Sequence, residues 1–254
     1  MARVLLAGES WTTLSVHTKG FDSFVTSTYA EGADDFRAAL EVAGHSLVYQ
    51  PNHEAAERFP SGRAELEGFD VVVLSDIGSN TLLLPAATFL RAEVRPNRLA
   101  VLREWVTSGG ALAMIGGYLS FQGIEGRANY RSTPLADVLP VELEVGDDRQ
   151  ETPQGAVVQR SDVEHPITKG MEHDWPALLG YQRLVPRPDA EVLATIDGWP
   201  LLVVGMHGRG RVLAFASDIG PHWAPRGFVE WPGYEKLWAR VIAWLADEEN
   251  ADAR

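Results

Sequence analysis

Several side chains capable of chemistry stand just past apolar runs in this 254-residue chain. Glu9 and Ser10 follow Arg3–Gly8, Gly117, Tyr118 and Ser120 follow Ala111–Ile115, and Asp218, His222 and Trp223 follow Gly210–Ala216. The carboxyl ends of parallel strands are where open α/β sheets bind ligands. His222 could take up a proton, Asp218 or Glu9 could orient it, and Ser120 could offer a hydroxyl nucleophile. No Gly-x-Ser-x-Gly surrounds Ser120, and a serine there equally reads as a cap on the following turn. Tyr118 is a poor nucleophile, because a phenol is only about 0.1% ionised at neutral pH and no lysine or arginine neighbours it in sequence. It reads as a ligand hydrogen bond, an aromatic wall or a packed rim residue. His17 reads as a ligand contact or a loop cap. The catalytic candidates are therefore Tyr118, His222, Asp218 and Glu9. The ligand-binding candidates are Ser10, His17, Gly117, Ser120 and Trp223. His17, His222, Asp218 and Glu9 could converge on a metal, yet no His-x-His or His-x-x-x-His spacing supports one, and neither metal nor cofactor is expected. His165 and His173, with Glu172 and Asp174, read as a solvated turn. Gly205–Gly210 reads as a hairpin turn between strands, not a phosphate cradle.

These residues need a sheet to hold them. Arg3–Gly8, His45–Tyr49, Phe69–Asp76 and Ala111–Ile115 are short apolar runs of the kind buried parallel strands show, with Asp76 at the carboxyl end of the third. Between them lie a helix from Gly32 to Gly44, where an aspartate can cap the start, and an amphipathic helix from Arg98 to Gly109 with a glycine stop. Alternating strands and helices imply a parallel sheet with right-handed crossovers. Leu14–Phe24 has no clean periodicity and reads as a long loop or short strand over the sheet edge. After Ser120 the pattern changes. Val141–Val145, Ala156–Gln159, Val192–Ile196, Pro200–Val204 and Gly210–Ala216 read as strands of a mostly antiparallel edge. Pro232–Glu248 is a closing helix with Leu237, Val241, Trp244 and Leu245 on one stripe. The expected class is α/β: a mostly parallel sheet flanked by helices, with antiparallel strands added in the C-terminal half. No repeat or low-complexity linker divides the chain, so residues 1–248 read as one domain and 249–254 as a frayed tail.

Composition narrows the partners. Apolar residues make up 45%, enough for a full core, and the net charge of −13 disfavours nucleic-acid binding. Cysteine is absent, which excludes disulfides, thiolate metal sites and a cysteine nucleophile. The chain runs directly into a strand pattern without signal-peptide architecture, and no apolar run approaches a membrane span. A cytoplasmic protein with a small-molecule ligand is expected. The tryptophans near residues 223–244 suit core or oligomer contacts, so a homo-oligomer is expected too.

His17-Thr-Lys-Gly-Phe-Asp22, Gly116-Gly-Tyr-Leu-Ser-Phe-Gln-Gly123, Asn129-Tyr130, Thr133–Val141 and Ser217-Asp-Ile-Gly-Pro-His-Trp223 together span nearly the whole chain. On these motifs it resembles the class I glutamine amidotransferase-like superfamily. Within that it resembles a bacterial family of cytoplasmic proteins described as putative glutamine amidotransferases, whose activity is undefined. The resemblance implies a flavodoxin-like scaffold and a pocket at the carboxyl edge. Working glutaminases of the class carry Gly-x-Cys-x-Gly and a later His-x-Glu. Here Tyr118 stands at the cysteine, Ser120 at the second glycine and Ala224 at the glutamate, with His222 matching the histidine. The resemblance thus implies a member that does not hydrolyse glutamine. A rebuilt hydrolase site, a silent metabolite-binding protein and an oligomeric partner protein all stay open.

Overall fold

The computed structural model describes residues 1–248; the frayed tail expected at 249–254 lies outside the described residues. Thirteen strands run in chain order: β1 Arg3–Gly8, β2 Ser10–Lys19, β3 Asp22–Glu31, β4 Ser46–Gln50, β5 Val71–Ser75, β6 Ala111–Ile115, β7 Val141–Glu142, β8 Arg149–Arg160, β9 Asp174–Gln182, β10 Val185–Pro186, β11 Glu191–Ile196, β12 Trp199–His207 and β13 Gly210–Phe215. Nine of them form one sheet in the order β4-β1-β5-β6-β13-β12-β11-β8-β9. The four pairings from β4 to β13 are parallel and the four from β13 to β9 are antiparallel. The sheet is therefore evenly mixed where a mostly parallel one was expected. The antiparallel half is longer than the sequence suggested, because β8 extends back to Arg149 and β9 was not foreseen.

The parallel half follows from burial on both faces. Residues Val4–Gly8 of β1 and all of β5 and β6 are buried, which is why they read as continuous apolar runs. The chain leaves β1 toward β4 on one side, then returns to β5 on the other, so the topological switch point lies between β1 and β5. Right-handed crossovers then place helix Asp34–Val42 and helix Arg98–Thr107 on opposite faces. Helix Pro232–Leu245 packs beside Asp34–Val42.

Helix ends follow local chemistry. Asn97 Oδ1 accepts from the amides of Leu99 and Ala100, both at 3.0 Å, and so starts Arg98–Thr107. No aspartate caps Asp34–Val42. Ala33 holds the cap position, and Asp34 and Asp35 act in the first turn through the helix dipole.

Other expectations need correction. Leu14–Phe24 is neither loop nor short strand: β2 and β3 pair over ten residues each into a separate two-stranded arm. Of Val141–Val145 only Val141–Glu142 is strand, paired with β10 outside the main sheet. The late tryptophans are mostly core: Trp223 and Trp238 are buried, and Trp238 packs edge-on against Phe36 and Phe215. Trp231 and Trp244 are half-buried against the same core, in line with the core alternative. His165 is buried, not solvated; its Nδ1 accepts from the amide of Ile167 and its ring packs against Trp244. The turn between Gly205 and Gly210 does join β12 to β13 as a hairpin.

Candidate functional site

The last paired row across the parallel strands is Gly8, Ser75, Ile115 and Phe215. The next residue on each strand is Glu9, Asp76, Gly116 and Ala216, and two further on stand Tyr118 and Asp218. Glu9 and Asp76 flank the switch point. Both have left-handed backbone, with φ of 49° and 41°. Non-glycine residues adopt that conformation at a cost of order 1–3 kcal/mol each, and such strain gathers at functional sites. Glu9 is held there by its amide donating to the Ser75 carbonyl at 2.9 Å and by its carbonyl accepting from Gly32 at 2.9 Å.

Three carboxyl groups converge at this edge. Glu9, Asp218 and Asp76 are 1%, 2% and 8% exposed. Glu9 accepts from the Ser75 hydroxyl and shares a hydrogen bond with Asp218. Asp218 Oδ1 also accepts from the amide of Ile219 at 2.8 Å. Asp76 Oδ1 accepts from the amide of Leu119 at 2.6 Å. Among the described residues, no arginine or lysine pairs with any of the three. Burial without a cation disfavours ionisation. It drives the Glu9 carboxyl well above its ordinary range, helped by the charges of Asp218 and Asp76. Burial, then the Asp76 charge, pushes Asp218 up to about 7. Burial also raises Asp76, while the Leu119 amide and His222 pull it back. A hydrogen bond between two carboxyls needs a proton, so Glu9 and Asp218 hold one between them near neutral pH.

The glycine turn over these groups is shaped by them. Gly117 has φ of +128°, and a Cβ on it would lie 2.8 Å from Asp76 Cβ. A Cβ on Gly116 would lie 2.5 Å from Gln182 Oε1. Gln182 in turn donates to the Gly117 carbonyl. Two carboxylates pin the rest of the turn: Asp76 at Leu119, and Asp148 at the amides of Gln122 and Gly123, at 3.0 and 2.8 Å. Ser120 is buried, and its hydroxyl accepts from the Asp76 amide at 3.0 Å. It braces the turn and does not face the histidine as a nucleophile would.

Above the acids stands an aromatic column. The His222 ring lies 5.2 Å from Tyr118 at an interplanar angle of 3°, and Trp11 lies 5.0 Å from His222. The Arg149 guanidinium sits 5.1 Å from the Tyr118 ring centre, and Trp223 meets Tyr118 edge-on. Glu151 accepts from Trp223 Nε1 at 3.0 Å and from the Tyr118 hydroxyl. Burial first, then the Glu151 charge, raises the Tyr118 phenol, so Tyr118 is neutral and no nucleophile. The cation missing from its sequence neighbourhood is Arg149, which arrives from β8.

The structure thus brings together Glu9, Gly117, Tyr118, Asp218, His222 and Trp223. Ser10 lies beside them as a brace, its hydroxyl accepting from the Asn52 amide at 2.8 Å. His17 is not brought in. It stands exposed, seven residues along the arm, stacked on Phe24 and bonded to Thr26. Sequence reasoning missed Asp76 as a site residue, although its place at a strand end was the available signal. Trp11 follows the first strand with Glu9 and Ser10, so its place at the ligand-facing end was legible though it was not counted among the candidates; Arg149 and Glu151 were missed, and no local signal exists for them. Among the described residues, no group of three or more His, Asp or Glu side chains, the trio of Glu9, Asp76 and Asp218 included, is placed so that it could hold a metal ion.

An α/β sheet with a glycine turn after β6, at the carboxyl edge beside its switch point, is the scaffold that the resemblance to the amidotransferase-like class implies. The match confirms the resemblance: residues 3–247 fit the family model described as "Putative glutamine amidotransferase" (GATase1-like), and the chain belongs to that family. It is a member without cysteine. Two Salmonella typhimurium structures, Cytoplasmic Protein STM3548 and Cytoplasmic Protein STM1381 of strain LT2, are each 45% identical to it. The first superposes with TM-score 0.92 over 95% of this chain and 98% of its own. The second does so with TM-score 0.93 over 96% and 99%. A ThuA-like protein of Parabacteroides merdae, 12% identical, shares the fold with TM-score 0.56 over 97% of this chain and 90% of its own. No curated protein matches the sequence.

Proposed function

We propose that this chain is a small-molecule-binding member of its family that does not hydrolyse glutamine, with its ligand site at the carboxyl edge between β1, β5, β6 and β13. The observation that carries the reading is the trio Glu9, Asp76 and Asp218: buried, two of them on left-handed backbone, and paired to no cation. Such an arrangement costs stability, and functional sites are where that cost is tolerated. Its complement is a ligand rich in hydrogen-bond donors, an amine or a polyol, with His222 and Trp11 as the exposed wall. The shared proton of Glu9 and Asp218 also equips the site for general acid–base chemistry, which suits a rebuilt hydrolase.

Loss of glutaminase chemistry goes beyond the missing sulfur. In nucleophile elbows the amide after the nucleophile helps hold the oxyanion. Here that amide belongs to Leu119, and the Asp76 carboxyl already occupies it at 2.6 Å. With that amide already committed, a developing negative charge would find no free donor there.

A second reading, a non-catalytic partner protein, is favoured by the column itself. His222 stacks 5.2 Å from Tyr118 and Arg149 sits 5.1 Å from its ring centre, and two sizeable cavities lie elsewhere. One of about 490 Å³ lies at the amino edge beside Arg63, Trp105 and Arg209. Another of about 480 Å³ lies beside His165 and Lys169. We also infer one domain over residues 1–248, supported by the continuous core, and a cytoplasmic protein without nucleic-acid partners. The names of the two Salmonella relatives and the charge of −13 support the latter. No helix among the described residues is long and apolar enough to cross a membrane.

The test is a thermal-shift screen of amines and polyols against the wild type, Asp76→Asn and His222→Ala. The expected result is a stabilising compound whose shift falls in both variants. A hit indifferent to both substitutions would place the ligand elsewhere, and no hit at all would favour the second reading.

A further inference from the structure

The ten-residue strands β2 and β3 form a ribbon that leaves the body just after Glu9 and returns just before Gly32. At about 3.3 Å per residue it extends roughly 33 Å. Gly20 turns it with φ of +63°, as the first position of a two-residue II′ turn requires. Its root is tied down: Tyr29 packs edge-on against His53, and Trp11 against His222. Beyond the root its side chains are exposed and pack on nothing else among the described residues. A lone two-stranded ribbon is marginal in water.

The pairing register sorts its side chains into two faces. Tyr29 opposite Thr12, Leu14 opposite Ser27, and Val16 opposite Val25 share one face. Thr13, Thr28, Ser15 and Thr26 share the other, with the stacked His17 and Phe24 farther out. Leu14, Val16, Val25 and Tyr29 thus gather on one face, among Thr12, Thr18, Ser23 and Ser27, while Phe24 is the large apolar side chain of the other face beyond the root. A second apolar surface lies on the body. Leu84, Phe89, Leu90 and Val94 are exposed within eleven residues. The arm and this segment hold ten of the eighteen large apolar side chains exposed among the described residues.

We propose that the apolar face of the arm seats on the Leu84–Val94 surface of a second copy of this chain, reciprocally, in a twofold dimer. Charge favours this occupant. Residues 10–31 carry one lysine against an aspartate and a glutamate, whereas 84–95 carry two arginines against one glutamate. The arm is therefore slightly negative and its seat slightly positive, in a chain that otherwise repels its own copies with a charge of −13. Area favours it as well. A ribbon about 33 Å by 10 Å buries about 330 Å² on itself and as much on its seat. Two reciprocal seats bury roughly 1,300 Å², within the range of stable specific interfaces. The proposal is independent of the ligand reading, since none of the seating residues belongs to the acid cluster.

Sedimentation velocity of the full chain at micromolar concentrations tests it. The wild type should sediment as a dimer. Leu14→Lys with Val16→Lys, on the apolar face, should weaken association at least about tenfold. Thr13→Lys with Thr26→Lys, on the opposite face, should not. Leu90→Lys in the seat should match the first pair. All of these lie outside the core, so unchanged far-ultraviolet dichroism verifies that each variant folds. The absence of cysteine allows a positional check. Chains carrying Val16→Cys mixed with chains carrying Leu90→Cys should cross-link to each other under oxidation. A monomeric wild type, an apolar-face variant that keeps its mass, or equal loss in both face variants would overturn the proposal.

Discussion

The two ends of the same parallel strands are built on opposite principles. At the amino ends charges pair across the surface: Arg63 with Glu67 at 2.9 Å and Arg211 with Asp247 at 2.5 Å, while Asp70 accepts from the Arg3 amide at 2.7 Å. Apart from glycine turns, left-handed backbone occurs in these pairs only at Asp247, with φ of 55°, and each pair is within reach of water. At the carboxyl ends Glu9, Asp76 and Asp218 are sealed from water, meet no cation, and two of them sit on left-handed backbone. Both ends come from one sheet, so architecture does not explain the difference. One end lowers the energy of the fold. The other raises it and is tolerated, which is the signature of a site kept for something besides folding.

The comparison breaks first at Gly117. Alanine there must adopt φ of +128° and set a Cβ 2.8 Å from that of Asp76. Strain and overpacking together should cost about 3–5 kcal/mol in chemical denaturation. Gly20, on the arm, has φ of +63° with nothing within 4 Å. Alanine there should cost only about 1 kcal/mol. Equal losses at the two positions would mean that the carboxyl-edge turn is not specially constrained.

The acids sharpen it next, through pH. Asp218 binds its proton more tightly in the folded chain, at about 7, than when unfolded near 4. The folded state therefore holds more protons between those values. Stability is greatest below the lower one and falls as pH rises through the upper. Glu9 acts with the same sign. The Asp218 contribution is at most about 4 kcal/mol. The melting temperature should fall from pH 5 to pH 8, and Asp218→Asn should flatten that slope. Glu9, Asp76 and Asp148, the last raised to about 6, are all pushed up mainly by burial and leave a smaller decline in the variant. A wild type equally stable at both pH values would show that the acids are not proton-loaded.

How far this contrast was legible in the sequence depends on range. β1, β5 and β6 were readable because burial on both faces writes an uninterrupted apolar run, and the strand-end places of Glu9, Asp76 and Asp218 came with them. The arm was not, because Leu14 and Val16 alternate with small polar residues on a ribbon with no body beneath it. β9 holds Pro176 and Gly180, residue types that disfavour a strand interior and so mask it in sequence. Gly180 is needed because the Trp223 ring packs where its side chain would be. The hold of Asp76 on the Leu119 amide spans 43 residues of sequence and has no local trace. That long-range contact decides whether the turn can act as an elbow.

That point carries an activity prediction. Tyr118→Cys restores the sulfur at the turn, yet Asp76 still occupies the Leu119 amide and Ala224 still stands in place of the glutamate. Ammonia release from glutamine should stay undetectable in the wild type and in this variant. Robust release by either would show that the Asp76 contact yields to substrate.

The smallest effect belongs to the amino end. Arg63 and Glu67 lie one helical turn apart, each 58% exposed. Water screens their attraction, and ordering two long side chains offsets much of what remains. Arg63→Gln should change stability by no more than about 0.5 kcal/mol, and salt should erase that difference. Asp76→Asn, by contrast, keeps the shape and a hydrogen-bond acceptor for Leu119 while removing a buried carboxyl that no arginine or lysine pairs with. It should leave stability near neutral pH unchanged or raise it. If removing an exposed charge with a partner cost more than removing a buried one without, the two ends would not differ in kind, and the carboxyl edge would lose its claim to be a site.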